Sequence, residues 1–328
     1  MNNDKLLTVS HSPHLRHEDN TRTVMSDVII ALMPSLVWAA YIFGARALLL
    51  TAISVLSCVA FEAIFCLVRR KPQTVGDFSA VVTGLILAFT LPAACPSWVA
   101  VVGAFVAVVL VKQLFGGIGK NILNPALGAR VLIGIAFPSA MRYTAPFEAL
   151  PLFSSTAQAA TAQPTLTSLM QGVIPPISAF DMLIGNRVGA MGEVSALLIL
   201  GGGLYLAARR VISLHIPLSF AATAALFAYV FPLNTFKEEF VLYQLLSGSI
   251  LFGAVFLAGD GVTSPLTSTG KIIFGVGCGL ITMLIRYTCR FDGVFYAILI
   301  MNLAVPLIDK LTIPTPFGRV KSKNKEKV

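Results

Sequence analysis

Ten predominantly apolar runs, separated by short polar stretches and one long central loop, leave this chain few folds to adopt. They span roughly 24–43, 47–67, 78–91, 98–111 and 126–137, then 194–208, 216–231, 243–258, 272–286 and 294–310. The longer ones match the roughly 20 apolar residues that carry a helix across a bilayer. Others are short: 78–91 stops before Pro92 and 126–137 before Pro138, so these are expected to be tilted, broken or extended by flanking polar residues. Only 12% of the residues are charged and 56% are hydrophobic, against about 25% charged in a soluble domain. The expectation is an all-α polytopic membrane protein of about ten transmembrane helices.

The formal charge of +9 does not point to nucleic acid, because the basic residues lie at the ends of apolar runs and in the tail RVKSKNK (319–325), without interleaved aromatics. They read as topology signals. With the N-terminus inside, Lys5, Arg16, Arg22, Arg69, Arg70, Lys71, Lys112, Lys120, Arg209, Arg210, Lys271 and the tail fall on one side. Arg46, Arg142, Arg187, Lys237, Arg286 and Arg290 fall on the other. This predicts a multi-pass protein of the cell membrane with both termini in the cytoplasm. Five runs on each side of a long central loop force the two sets into opposite orientations, so an inverted repeat with broken or short helices is expected. The divisions are a cytoplasmic tail (1–23), a first five-helix half (24–137), an extracytoplasmic loop (138–193), a second half (194–312) and a basic cytoplasmic tail (313–328). No cleaved signal peptide is expected, since no short apolar region with a cleavage site precedes the first run.

Each half carries a Gly- and Pro-bearing polar segment at a comparable place, GGIGKNILNPALGAR (116–130) and GDGVTSPLTSTGK (259–271). At membrane depth such backbone is tolerated only where protein or a cavity satisfies it. Asn121 and Asn124 precede Pro125 and either cap a helix beginning there or contact a cofactor. Asp260, with Thr263 and Ser264, either closes a turn or holds a ligand hydroxyl. Glu62 and Arg130 are ionisable groups in apolar surroundings, each a functional hypothesis by default. The five cysteines lack CxxC pairing and read as apolar packing. His11, His14 and His17 read as a solvated tail rather than a metal site. Gly201, Gly202 and Gly203 read as close helix packing. One further stretch is anomalous: SSTAQAATAQPTLTS (154–168), uncharged and hydroxyl-rich, in the central loop.

Several segments resemble a known family. KQLFGGIGKNILNPALGARVL (112–132), HIPLSF (215–220), GDGVTSPLTSTGKIIFG (259–275) and FDGVFYAILIMNLAVPLID (291–309) are similar to the D subunit of the Rnf electron-transport complex, as are SPH (12–14) and DFSAVVTGLILAFTLP (77–92). The same segments resemble its relative, the B subunit of the sodium-pumping NADH:quinone reductase. The short N-terminus and total length favour the Rnf protein. The resemblance implies FMN held on a threonine through a phosphoester bond, with a second, non-covalent flavin such as riboflavin. Its implied partners are other Rnf-type subunits: membrane helical subunits, a second subunit with covalent FMN, and NADH/flavin and iron–sulfur subunits. Such a complex moves electrons between ferredoxin and NAD and couples this to Na⁺ or H⁺ export, so the chain would not be catalytic alone.

The family's attachment pattern, close to Asp-x-x-Ser/Thr-Gly-Ala-Thr, falls on residues 155–161 and makes Thr161 the candidate acceptor. Ser155, Gln158 and Ala159 depart from it; Ala160 and Thr161 match. Thr156, Thr165 and Thr167 are rival acceptors. Arg142 and Arg187 flank the loop and are candidates to pair with the phosphate. Asn121, Asn124, Asp260, Thr263 and Ser264 are the candidate contacts for a flavin. A cofactor-free small-solute transporter or channel, built on the same inverted halves, is the chief rival reading, and a structural scaffold the third.

Overall fold

A computed structural model describes residues 20–148, 150–152, 162, 165–172, 177–193, 195–233, 237–312 and 314. Helices and turns account for all of the regular structure among them, with no strand. Four helices are long and apolar enough to cross a membrane: α1 (Thr21–Phe43), α2 (Ala45–Val68), α12 (Ser268–Cys289) and α13 (Val294–Thr312). Five shorter apolar helices join them: α3 (Ser79–Thr90), α4 (Ser97–Gln113, its last two turns π-helical), α5 (Pro125–Ala136), α8 (Ala196–Ala208) and α9 (His215–Val230). The central loop contributes the short α6 (Thr165–Met170) and α7 (Ala179–Ile184). The expected run at 243–258 is instead two helices, α10 (Lys237–Leu246) and α11 (Ile250–Leu257), bent by 57°. Gly248, at φ +67°, makes the break, a conformation reached readily only without a Cβ.

Local chemistry sets these boundaries. Asn124 Oδ1 accepts from the Ala126 and Leu127 amides at 3.1 and 3.4 Å, capping α5 with Pro125 in its first turn. Thr267 caps α12 through the Gly270 amide. The outer helices present apolar side chains outward, among them Val37, Leu56, Leu204, Leu218 and Leu307, a surface suited to lipid rather than water. By contrast α3 is buried all round except at Val81. At 12 residues it is about 18 Å long, short of the roughly 30 Å hydrocarbon core.

The two sets of helices share one packing order. In the first, α2 lies against α3 and α4, and α4 against α5; in the second, α9 lies against α10, α11 and α12, and α12 against α13. Glycines allow the closest approaches. A Cβ on Gly84 would lie 2.6 Å from the Val55 Cα, and one on Gly202 would lie 2.7 Å from the Ala31 carbonyl. The last contact draws α8 onto α1, where Tyr205 and Arg209 also bond Asp27 at 2.9 and 3.2 Å.

Broken helices leave carbonyls that lipid cannot satisfy, and buried arginines supply the donors. Arg130 Nε donates to the Thr90 carbonyl at the end of α3 at 2.9 Å. Arg286 donates to the Gln244 and Ser247 carbonyls at the α10–α11 break, and Arg187 to those of Leu246, Glu193 and Gly248. Arg46 holds the Cys95 and Leu152 carbonyls. Arg46, Arg187 and Arg286 are each at most 3% exposed, so three charges that the sequence assigns to loop topology serve buried backbone carbonyls, Arg286 pairing with Asp292 as well. Lys112 is corrected in the same way: it is 2% exposed and paired with Glu62 at 2.8 Å.

Candidate functional site

The two polar segments singled out in the sequence meet in space. Asn124 Nδ2 donates to Asp260 Oδ2 at 3.3 Å, tying the turn before α5 to the turn after α11. Together with Asn20, Ser79, Lys112 and Asn121 they line a cavity of about 470 Å³, whose apolar wall includes Ile86, Val255 and Phe256. That volume falls within the range of small-molecule sites, about 300–1,000 Å³. Asn121 Oδ1 is buried and has no hydrogen-bond partner among the described residues, so an acceptor is free for a ligand N–H. Asp260 Oδ1 also accepts from the Val262 amide, and Oδ2 from Thr263 Oγ1. The turn-closing and cavity-facing readings of Asp260 are thus both realised. Desolvation in the cavity wall holds its carboxyl above the usual range, against those three donors. Thr263 and Ser264 are buried behind the lining rather than on it.

Beneath this cavity lies a buried charge cluster. Glu62, 0% exposed, accepts from Lys112 Nζ at 2.9 and 2.8 Å, from Thr74 Oγ1 at 2.6 Å and from Gln113 Nε2 at 3.1 Å. Lys112 also donates to Ser79 Oγ at 2.6 Å, and Ser79 donates through Oγ and N to Asp77. All three ammonium donors are therefore engaged. The second set repeats the motif where Ser249 precedes α11: its amide and hydroxyl both donate to Asp292 Oδ2, and Arg286 bonds Oδ1 at 2.9 Å.

A second cavity, about 210 Å³, is lined by Arg130, Tyr143, Thr167, Glu193, Asp292 and Tyr296 among others. Arg130 stacks over the Phe295 ring at 5.2 Å and hydrogen-bonds the Tyr143 hydroxyl. The Ala162 amide donates to the Tyr143 carbonyl at 2.9 Å, so the residue after Thr161 is anchored to the wall of this cavity. Thr161 and Thr156 lie outside the described residues, as do His11, His14 and His17. Of the rival acceptors, Thr165 is buried in α6, and Thr167 faces the cavity. Arg142 is exposed, next to Tyr143. The Nη donors of Arg187 already serve carbonyls, so pairing them with a phosphate would require giving those bonds up.

Sequence reasoning missed Tyr143 and Glu193. Tyr143 lies in an irregular stretch with no periodicity, and Glu193 precedes an apolar run where it resembles an ordinary interface charge. Among the described residues no group of three His, Cys, Asp or Glu is placed to hold a metal ion, and four of the five thiols are buried, none bonded to another.

The chain matches the NQR2, RnfD, RnfE family over residues 8–318. A relative from Acetobacterium woodii, named as the D subunit of a Na⁺-translocating ferredoxin:NAD⁺ oxidoreductase complex, is 44% identical over 328 residues, 99% of each chain. One from Clostridium ljungdahlii, named as the D subunit of a proton-translocating complex of that type, is 35% identical, covering 95% of this chain and 96% of its own. One from Stutzerimonas stutzeri, named as the D subunit of an ion-translocating oxidoreductase complex, is 38% identical over 90% of this chain and 92% of its own. With a family match spanning nearly the whole sequence and several apolar helices, the chain is a multi-pass membrane protein belonging to the NQR2, RnfD, RnfE family.

Proposed function

We propose that this chain is the electron-carrying D subunit of an Rnf-type ferredoxin:NAD oxidoreductase in the membrane, bearing FMN on Thr161 through a phosphoester bond. The observation that carries the reading is the Ala162–Tyr143 bond, which ties the candidate acceptor's neighbour to a cavity lined by one arginine and two tyrosines. An aromatic and cationic wall suits a flavin and its phosphate. Arg130 is the cation on that wall, and the exposed Arg142 adjoins it in sequence at Tyr143.

The larger cavity takes the second, non-covalent flavin, whose ring nitrogens and carbonyls suit Asn121, Asn124 and Asp260. Ten transmembrane segments in two inverted halves, with both termini in the cytoplasm, put the larger cavity on the cytoplasmic side and the smaller one outside. The burial of Arg46, Arg187 and Arg286 supports this orientation, because removing them from the exterior loop count sharpens the charge asymmetry. The redox chemistry is the cofactors' own; the protein supplies position and electrostatics. NADH-binding and iron–sulfur centres belong to partner subunits, and the redox flow is coupled to Na⁺ or H⁺ transport.

The test is flavin fluorescence of the denatured protein band, from a host that supplies the flavin-attaching enzyme. The native band glows and Thr161→Val is dark; a dark native band beside a working positive control defeats the covalent assignment.

A further inference from the structure

Two carboxyl groups, Glu193 and Asp292, line the smaller cavity and share the Ser249 hydroxyl as a neighbour. Their surroundings differ. Asp292 Oδ1 accepts from Arg286 Nε and Nη2 at 3.3 and 2.9 Å, and Oδ2 accepts from the Ser249 amide and hydroxyl. Asp292 is thus ion-paired and saturated.

Glu193 is 6% exposed, and among the described residues no guanidinium is bonded to its carboxyl. Its bonds are to the Ala190 amide, at 3.3 Å to Oε2, and to Ser249. Arg187, the nearest candidate, directs its Nη donors to carbonyls, including the backbone carbonyl of Glu193 itself. Arg130 bonds the Thr90 carbonyl and the Tyr143 hydroxyl, and Arg286 is matched by Asp292. The remaining titratable group on the wall is Tyr296. A buried carboxylate with no direct cation, close to another that is fully ionised, is the unstable member of such a pair.

Burial and then the charge of Asp292 hold the Glu193 carboxyl above its ordinary range. Burial would raise Asp292 too, but Arg286 and the Ser249 donors outweigh it and hold that carboxyl below. Two carboxyls pushed apart at one cavity divide naturally into an acid and a base. An independent feature points to a small hydrogen-bonding guest: Arg187 Nε and Ser247 Oγ, both buried at this network, have no partner among the described residues, which leaves bonding capacity for water.

We propose that Glu193 is a proton-binding site opening on this cavity, holding a proton at neutral pH that Asp292 does not. On release the Glu193 O–H bond breaks, the proton passes to water or another base in the cavity, and the carboxylate left behind keeps the Ala190 amide as donor, the single Ser249 hydroxyl proton being already given to Asp292. The inference stands on the carboxyl pair and does not require the flavin assignment.

The test is infrared spectroscopy of the purified full-length chain in lipid nanodiscs, titrated from neutral to alkaline pH, with and without ¹³C-carboxyl glutamate. The expected result is a carboxylic-acid carbonyl band at neutral pH that shifts with the label, fades as pH rises and is missing in Glu193→Gln. Should Glu193→Gln fail to fold, the labelled native protein still decides, since the absence of any glutamic-acid band at neutral pH overturns the proposal. A labelled band that persists undiminished in folded Glu193→Gln overturns it too, by assigning the proton to another glutamate.

Discussion

Lys112→Met removes one partner of the most enclosed ion pair among the described residues. The substitution keeps the length and apolar stem of the side chain, so packing changes little, while the two bonds to Glu62 and the one to Ser79 are lost. Breaking a buried pair from one side costs about 3–5 kcal/mol, because the surviving charge is left desolvated. Thr74 and Gln113 still donate to Glu62 and hold the loss toward the lower end. At about 2–4 °C per kcal/mol, the value for somewhat smaller soluble chains, the midpoint of thermal unfolding falls by about 6–20 °C. The assay is size-exclusion chromatography of detergent-solubilised protein after heating. If the cost is that of an unpaired charge, Glu62→Leu combined with Lys112→Met, which removes both charges, recovers at least half of the loss. A double variant as unstable as the sum of the singles would refute the reasoning, because it would mean that Lys112 stabilises by something other than its charge.

Gly248→Ala places a Cβ 2.6 Å from Arg286 Nη2 and 3.1 Å from Asp292 Oδ2 while requiring φ +67°. The backbone alone costs about 1–2 kcal/mol, so a midpoint lowered by several degrees in the same assay is expected; an unchanged midpoint contradicts the described break. Asp260 yields a pH-dependent prediction. Its carboxyl is raised in the folded state by desolvation, so its contribution is fully present below the unfolded carboxylate range and is lost as pH rises through the folded value. Asp260→Asn, which cannot ionise, therefore loses less stability than the native protein between acid and neutral pH. The difference in midpoint between the two proteins, followed across that range, checks the sign.

Helix positions were largely legible in the sequence because long apolar runs have few alternatives in a membrane. The α1, α5 and α13 boundaries lie within three residues of the apolar runs, and Pro92 and Pro138 mark where α3 and α5 give way. The α10–α11 break was not expected, although Ser247, Gly248 and Ser249 stand there in plain view, since a small-residue triplet inside an apolar run equally suits close packing. Buried cations were misread for a related reason. Charge patterning counts Arg46, Arg187, Arg286 and Lys112 without knowing which carbonyls or carboxylates lie beside them, and those partners come from distant elements. The candidate site was half legible: Asn121, Asn124 and Asp260 were chosen from composition and resemblance and do line one cavity. Their convergence across 136 positions, between Asn124 and Asp260, is a product of packing order that local patterns do not encode.

The central claim is a flavin carried on one particular threonine, and peptide mass spectrometry of the protein purified from a flavin-attaching host tests it most directly. The account predicts the mass of an FMN phosphoester on the fragment spanning 153–164, localised to Thr161 on fragmentation. An unmodified fragment, or the added mass on Thr156, Thr165 or Thr167, would contradict it.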